Sequence, residues 1–165
     1  MLTTTNFMFK ENSVKGVEQK LNEGGKKISR WYNDNFLKGN YDKYKITLIG
    51  SKKKKDENIE INVNIDGINI KSNSELKLLG VTLDDHLNYC EHISDICKKA
   101  SKKVNVLVRF RNMVPEKAKL TLYKPVILAN LTYCHTVWHF CKAPDARKLE
   151  KIQERAVRAI YNNKS

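Results

Sequence analysis

The stretch Ser74-Glu75-Leu76-Lys77-Leu78-Leu79-Gly80-Val81-Thr82-Leu83-Asp84-Asp85 decides how the chain is read. It has the pattern of a short strand with large apolar residues on both faces, crossed by one glycine and closed by two carboxylates. A glycine inside an apolar strand marks a bulge or a close approach by another group, because it removes the side chain that would hold a neighbour off. Upstream the pattern is one helix and then strands. Downstream it is helical only, and dense in lysine and arginine.

The 165 residues suffice for one domain, or parts of two, with a real core. Lysine and arginine number 31 against 18 acids, a net charge of +13. Such a balance points to a polyanionic partner, nucleic acid first and an anionic membrane second. No apolar run reaches the ~18 residues of a membrane span, and the N-terminus lacks a signal-peptide pattern. The chain is therefore expected to be soluble and intracellular, with no membrane partner. Cys90, Cys97, Cys134 and Cys141 are then expected as thiols rather than a disulfide framework.

Residues 1–10 are β-prone, with Phe7 and Phe9 on one side of a strand. From Ser13, a fitting cap, the period becomes helical: Val14, Val17, Leu21, Ile28, Trp31 and Tyr32 share one stripe. Gly24 and Gly25 interrupt it at about 1 kcal/mol each, which predicts a kink. A polar turn leads to a strand over 45–49, and the lysines 52–55 read as a solvated loop. Ile59, Ile61, Val63 and Ile65 alternate with polar residues, as in a half-buried strand. Asp66-Gly67 is a strong hairpin signal, returning through Ile68 and Ile70.

Asp84-Asp85, directly before a helical segment, reads as a cap rather than half of a two-metal site, since no further carboxylates from separate elements are identifiable. The helix predicted over 91–112 has an apolar stripe of Ile93, Ile96, Cys97, Ala100, Val104, Leu107 and Val108. Between 97 and 124 the basic residues are Lys98, Lys99, Lys102, Lys103, Arg109, Arg111, Lys117, Lys119 and Lys124, against the single acid Glu116. A solvated face mixes signs; charge of one sign calls for an anion nearby. Pro115 opens another helix, whose buried positions are Leu120, Tyr123, Ile127 and Leu131, and Pro125 should kink or break it. Cys134, His135, His139 and Cys141 lie close together, as do His86, Cys90, His92 and Cys97, but neither group has the paired spacing of a structural zinc site. A last helix starts at Pro144-Asp145, with Leu149, Ile152, Gln153, Ala156 and Ile160 inward and Lys148, Lys151, Arg155 and Arg158 outward.

In this order the motifs resemble the distal palm and thumb of a reverse transcriptase from a non-LTR, LINE-type, jockey-like retrotransposon. Trp31 followed by Asn35-Phe36-Leu37-Lys38-Gly39-Asn40-Tyr41-Asp42-Lys43 resembles the family's W…N.LKLN..K block. Leu79-Gly80-Val81-Thr82-Leu83-Asp84 resembles FLGVTLD, the primer-grip hairpin. His92-Ile93, Leu122-Tyr123, Leu131-Thr132-Tyr133-Cys134, Val137-Trp138 and the last helix resemble the helical region after that hairpin.

The resemblance implies that Leu79, Gly80 and Val81 approach the primer backbone and that Lys98, Lys99, Lys102, Lys103, Arg109 and Arg111 hold the template–primer duplex of RNA and DNA without reading sequence. Lys43 would lie near the incoming nucleotide's phosphates and could protonate the leaving pyrophosphate. The family's Tyr-Ala-Asp-Asp is matched here only from Thr5 onward: Thr3 and Thr4 stand at the positions of the two metal-binding aspartates. Threonine hydroxyls do not replace ionised carboxylates around Mg²⁺. The intact family uses Mg²⁺; this chain is expected to hold no cofactor and to have no catalytic residue of its own. Ala129 also stands where the family has a proline, and Gly25 where it has an apolar helix position.

The expected fold is α+β: a small antiparallel sheet with one packed helix over 1–86, a distal-palm remnant with the hairpin, and an all-helical, thumb-like region over 87–165. The expected function is that of a truncated RNA-directed DNA polymerase, monomeric, in a nuclear or cytoplasmic ribonucleoprotein, binding template–primer without polymerising. The alternative is a non-enzymatic nucleic-acid-binding module with a structural Cys/His metal.

Overall fold

The computed structural model describes residues 6–50 and 60–161. It is an α+β structure of two compact units, Met1–Leu76 and Lys77–Ser165. The division falls between Leu76 and Lys77, so Gly80 and both aspartates belong with the helices.

The first unit is a helix laid on a hairpin. α1 (Val14–Asp34) starts where Ser13 accepts a hydrogen bond from the Gly16 N–H at 3.1 Å, as the cap residue demands. β1 (Asn62–Ile65) and β2 (Ile68–Lys71) pair antiparallel, with Val63 opposite Ile70 and Ile65 opposite Ile68. Asp66 and Gly67 form the turn, both at positive φ. Ile61, Val63, Ile65 and Ile70 are buried against Val14, Val17 and Leu21; an isoleucine so buried contributes about 1.5–3 kcal/mol. The outward N–H groups of β1 are covered by α1: Asn62 donates to Glu18 at 3.2 Å and Asn64 to Asn22 at 2.8 Å. Two side chains one helical turn apart thus seal a strand edge that would otherwise invite pairing.

Several expectations are corrected in this unit. α1 continues through the glycine pair for 21 residues, and the pair has a packing role that the kink reading did not include. A Cβ on Gly25 would sit 2.7 Å from Ile65 Cγ1, and one on Gly24 would sit 2.9 Å from Phe9 Cζ. The glycines are there to let the hairpin and the 7–9 segment close on the helix. Trp31, placed inward by its period, is 55% exposed and lines an apolar groove with Phe7, Phe9 and Tyr32. The strand expected over 45–49 is reduced to one parallel bridge, Ile46 with Ser72. The described residues of 1–10 form no strand, and the lysines 52–55 and Ile59 lie outside the described residues.

β3 (Glu75–Leu78), within which the division falls, and β4 (Val81–Asp84) form a two-stranded hairpin separate from β1–β2. The single sheet expected from the sequence is therefore two. Then come α2 (Cys90–Arg109), α3 (Glu116–Tyr123), a π-helical turn over Lys124–Leu128, α4 (Ala129–Thr132), α5 (His135–Trp138) and α6 (Ala143–Ile160). The core joins Ile93, Ile96, Ala100, Val104 and Leu107 of α2 to Tyr123, Ile127, Leu131, Trp138, Ala156, Ala159 and Ile160. Pro125 does not break its helix but falls in the π-helical turn, which widens the coil where the proline has no N–H to give. Gln153, expected inward, is exposed; Asp145, in the first turn of α6, is buried and paired with Lys148 at 2.7 Å.

Candidate nucleic-acid interface

Gly80 is not inside a strand. Leu79 and Gly80 are the two residues of the β3–β4 turn, at φ +46° and +86°. Positive φ at both central positions is the turn that matches strand twist, but a leucine there is strained. Leu79 is 71% exposed, so no core contact compensates it. The compensation comes from afar. Tyr133, after α4, donates its hydroxyl to the Leu79 carbonyl at 2.7 Å. A Cβ on Gly80 would lie 3.3 Å from Tyr133 Cε1, so the close approach the glycine permits is made by this ring. Val81 is buried beneath the turn.

Asp84 organises the connection to α2. Its Oδ1 accepts from the His86 and Asn88 N–H groups at 2.9 and 3.0 Å, and its Oδ2 from Tyr89 at 2.6 Å. Burial opposes ionisation of this carboxyl, but the three backbone donors outweigh it and hold it below the usual carboxylate range. The expected capping role thus falls on the loop, while the N-cap of α2 is Tyr89 at φ +59°, with no side-chain cap. One turn into the helix, His92 Nδ1 accepts from the Thr82 N–H at 3.3 Å, tying α2 to β4.

Beside the hairpin turn, a cavity of about 90 Å³ is lined by Lys77, Gly80, Thr82, His92, Asp95, Ile96, Lys99, Asn130 and Tyr133. Lys99 continues into a cationic face. At ~100° per residue, Lys98, Lys102 and Arg109 lie on the side of α2 away from its buried stripe, with Lys99 and Lys103 on the flank next to buried His92. Lys99, Lys102, Arg109 and Arg111 have no ion-pair partner among the described residues; Lys98 is 4.0 Å from Asp95, and Lys103 donates to the Val126 carbonyl at 3.0 Å. Lys119 leaves the set. It is 1% exposed and donates to the carbonyls of Arg111 and Ala159 at 3.1 and 3.2 Å, tying the turn after α2 to the end of α6. Nothing in its spacing distinguished it from its solvated neighbours. Tyr133 was also missed as a turn-holding residue, because its partner is 54 positions away.

Lys43 is exposed at the end of the short 3₁₀ turn Tyr41–Lys43 in the first unit. Thr3 and Thr4 lie outside the described residues. The Cys/His metal site is not favoured. Among the described residues no three His, Cys, Asp or Glu side chains are grouped to hold a metal ion. His135 Nε2 and His139 Nδ1 bond each other at 3.0 Å. Burial first, and Asp145 nearby, push the thiols of Cys90 and Cys141 above their ordinary value, away from the thiolate a metal needs.

Over 101 residues the chain is 28% identical to a protein described as a probable RNA-directed DNA polymerase from transposon X-element of Drosophila melanogaster. The likeness is to a transposon polymerase. It covers 59% of this chain and 11% of that protein, so the chain spans about a tenth of the relative's length. No family model matches the chain, and no solved structure matches it. No helix among the described residues is long and apolar enough to cross a membrane.

Proposed function

We propose that this chain is the template–primer-holding portion of a non-LTR-type RNA-directed DNA polymerase, with 1–86 as its distal palm and 87–165 as its thumb. The observation that carries the reading is the cationic sector of α2 beside the β3–β4 turn, in a sequence similar to a transposon polymerase. Lysines and arginine on one helix face bind a duplex through its phosphates, releasing counterions and leaving base sequence unread. The turn at Leu79-Gly80 stands beside this face with its Leu79 side chain exposed, and Tyr133, packed on Gly80, fixes its shape. Lys43 would serve the incoming nucleotide's phosphates.

The polymerising chemistry belongs to Mg²⁺ held by carboxylates, and the residues here do not fit that ion pair. Thr3 and Thr4 supply hydroxyls where carboxylates are needed, and both oxygens of Asp84 are taken by backbone N–H groups. The chain acts as a monomeric binder of an RNA–DNA duplex within a nuclear or cytoplasmic ribonucleoprotein.

The test is binding of a short RNA–DNA hybrid as salt is raised. The expected slope of log K against log salt is roughly −0.9 for each phosphate neutralised, shrinking when Lys98, Lys102 and Arg109 are changed together to glutamine. Binding that ignores both salt and these substitutions overturns the reading. Nucleotide incorporation by the purified chain with Mg²⁺ overturns its inactivity.

A further inference from the structure

We infer that the extended segment Phe7-Met8-Phe9-Lys10, with the apolar groove beside it, docks one extended peptide strand that carries alternating large apolar residues and a carboxylate. Residues 7–11 run without turn or bend, and none of them has positive φ. By the period of two of an extended chain, Phe7 and Phe9 share one face and Met8 takes the other. The segment is fixed rather than loose. Phe9 packs on Gly24, whose added Cβ would lie 2.9 Å from the ring, and Glu11 pairs with Lys20. Yet the backbone N–H and C=O groups of Phe7, Met8, Phe9 and Lys10 meet no hydrogen-bond partner among the described residues. The outer edge of β1 is sealed by Glu18 and Asn22. This one is open, and an open edge is a template for a further strand.

The surroundings make the edge more than a solvated stretch. Met8 is 93% exposed and Phe7 51%, a large apolar surface to leave in water. Phe7 and Phe9 line a groove of about 630 Å³ together with Ile28, Trp31 and Tyr32 of α1. That volume, the share of about twenty waters, admits more than one large side chain. The backbone selects the kind of occupant. Alternating donors and acceptors along an extended chain are matched together only by a second extended chain. A phosphate, which only accepts, or a lipid surface would leave the rest unmet. The charges select its sign. Lys20, Lys27 and Glu23 also line the groove, but Lys20 is taken by Glu11, and Glu23 accepts from Gln19 at 3.0 Å. Lys27, and Lys10 at the end of the segment, have no ion-pair partner among the described residues, so the strand brings a carboxylate to them. A second copy of the chain would instead bring like charge, in a molecule of net charge +13. Nothing in this edge depends on the duplex reading.

The experiment titrates the full chain with a short end-capped peptide in which phenylalanine and valine alternate with threonine between terminal aspartates. Two twins serve as controls, one methylated on alternate backbone nitrogens and one with lysines in place of the aspartates. Binding is followed by calorimetry, and the amides of residues 7–10 by ¹H–¹⁵N NMR and hydrogen exchange. The expected result is saturable binding that protects those amides. It should be about tenfold weaker for the methylated twin, which forfeits backbone hydrogen bonds, and weaker also for the lysine twin. Trp31→Ala, which opens the groove, should cost about tenfold, and Lys27→Gln should narrow the difference between aspartate and lysine ends. Both side chains are exposed, and unchanged amide spectra establish that the variants are folded. A methylated twin that binds as tightly shows an apolar groove without strand pairing, and overturns the docking edge. Absence of saturable binding does the same. Self-association of the chain without peptide, lost in Trp31→Ala, makes a second copy the occupant and overturns the peptide partner. A lysine twin that binds no worse overturns the carboxylate.

Discussion

Tyr133 donates its hydroxyl to the Leu79 carbonyl at 2.7 Å, so a residue after α4 fixes the turn of a hairpin 54 positions earlier. The hairpin turn and the helical bundle are thereby one structural unit, although the turn itself carries an exposed leucine at positive φ. Tyr133→Phe should lower stability by about 1 kcal/mol, the net worth of one hydrogen bond. Gly80→Ala should cost about 1–2 kcal/mol from backbone strain alone, with the ring contact added. Urea midpoints at constant slope measure both; an unchanged midpoint for the two variants would mean that the turn is held by something else.

Gly25→Ala tests packing against propensity. Alanine is the better helix former by about 1 kcal/mol, yet its Cβ would lie 2.7 Å from Ile65 Cγ1. We expect net destabilisation of about 1–3 kcal/mol, as for an overpacked core. A stabilised Gly25→Ala protein would show that α1 and the hairpin are not in close contact there.

Lys119 and Lys102 should separate stability from binding. Lys119→Met keeps the buried stem but strips the Arg111 and Ala159 carbonyls of this donor, at about 1–3 kcal/mol. Lys102→Gln, on the exposed face, should leave stability within about 0.5 kcal/mol and reduce the salt slope of duplex binding by about one. The checks are urea denaturation and hybrid binding across salt. Equal loss of binding in the folded Lys119→Met protein would contradict its structural role.

His92 gives stability a defined pH dependence. Burial, opposed by the Asp95 carboxylate and reinforced by Lys99 and Lys77, holds the ring below its ordinary value of 6.5. As pH falls, the unfolded chain therefore takes up this proton before the folded one does. The stabilisation is fully present above 6.5 and is lost as pH falls from there through the lower folded value. Urea midpoints on either side of that window should fall toward acid in the unaltered protein and stay flatter in His92→Gln. A midpoint that rises toward acid would reverse the sign and place a protonated ring in the fold.

The sequence by itself determined the elements whose signals are local. Ser13 as a cap, the alternation of Ile61, Val63 and Ile65, Asp66-Gly67 as a turn and the stripe of α2 were all legible, because each depends on a residue's own backbone preference or on a period of two or 3.6. The cationic face of α2 was legible for the same reason.

Only the tertiary structure decided what depended on a distant partner. Leu79-Gly80 reads as strand because leucine does not announce a turn, and the bond that stabilises it comes from Tyr133. Gly24-Gly25 reads as a kink because propensity counts only the lost side chains, whereas Ile65 and Phe9 fill the space they vacate. Lys119 has the same charge as Lys117 and Lys124 but meets two carbonyls in the interior, and His92 owes its single proton position to Thr82 on β4. A side chain's charge and shape are written in the chain, but the acceptor it meets and the solvent it loses are set only when elements far apart in sequence close on one another.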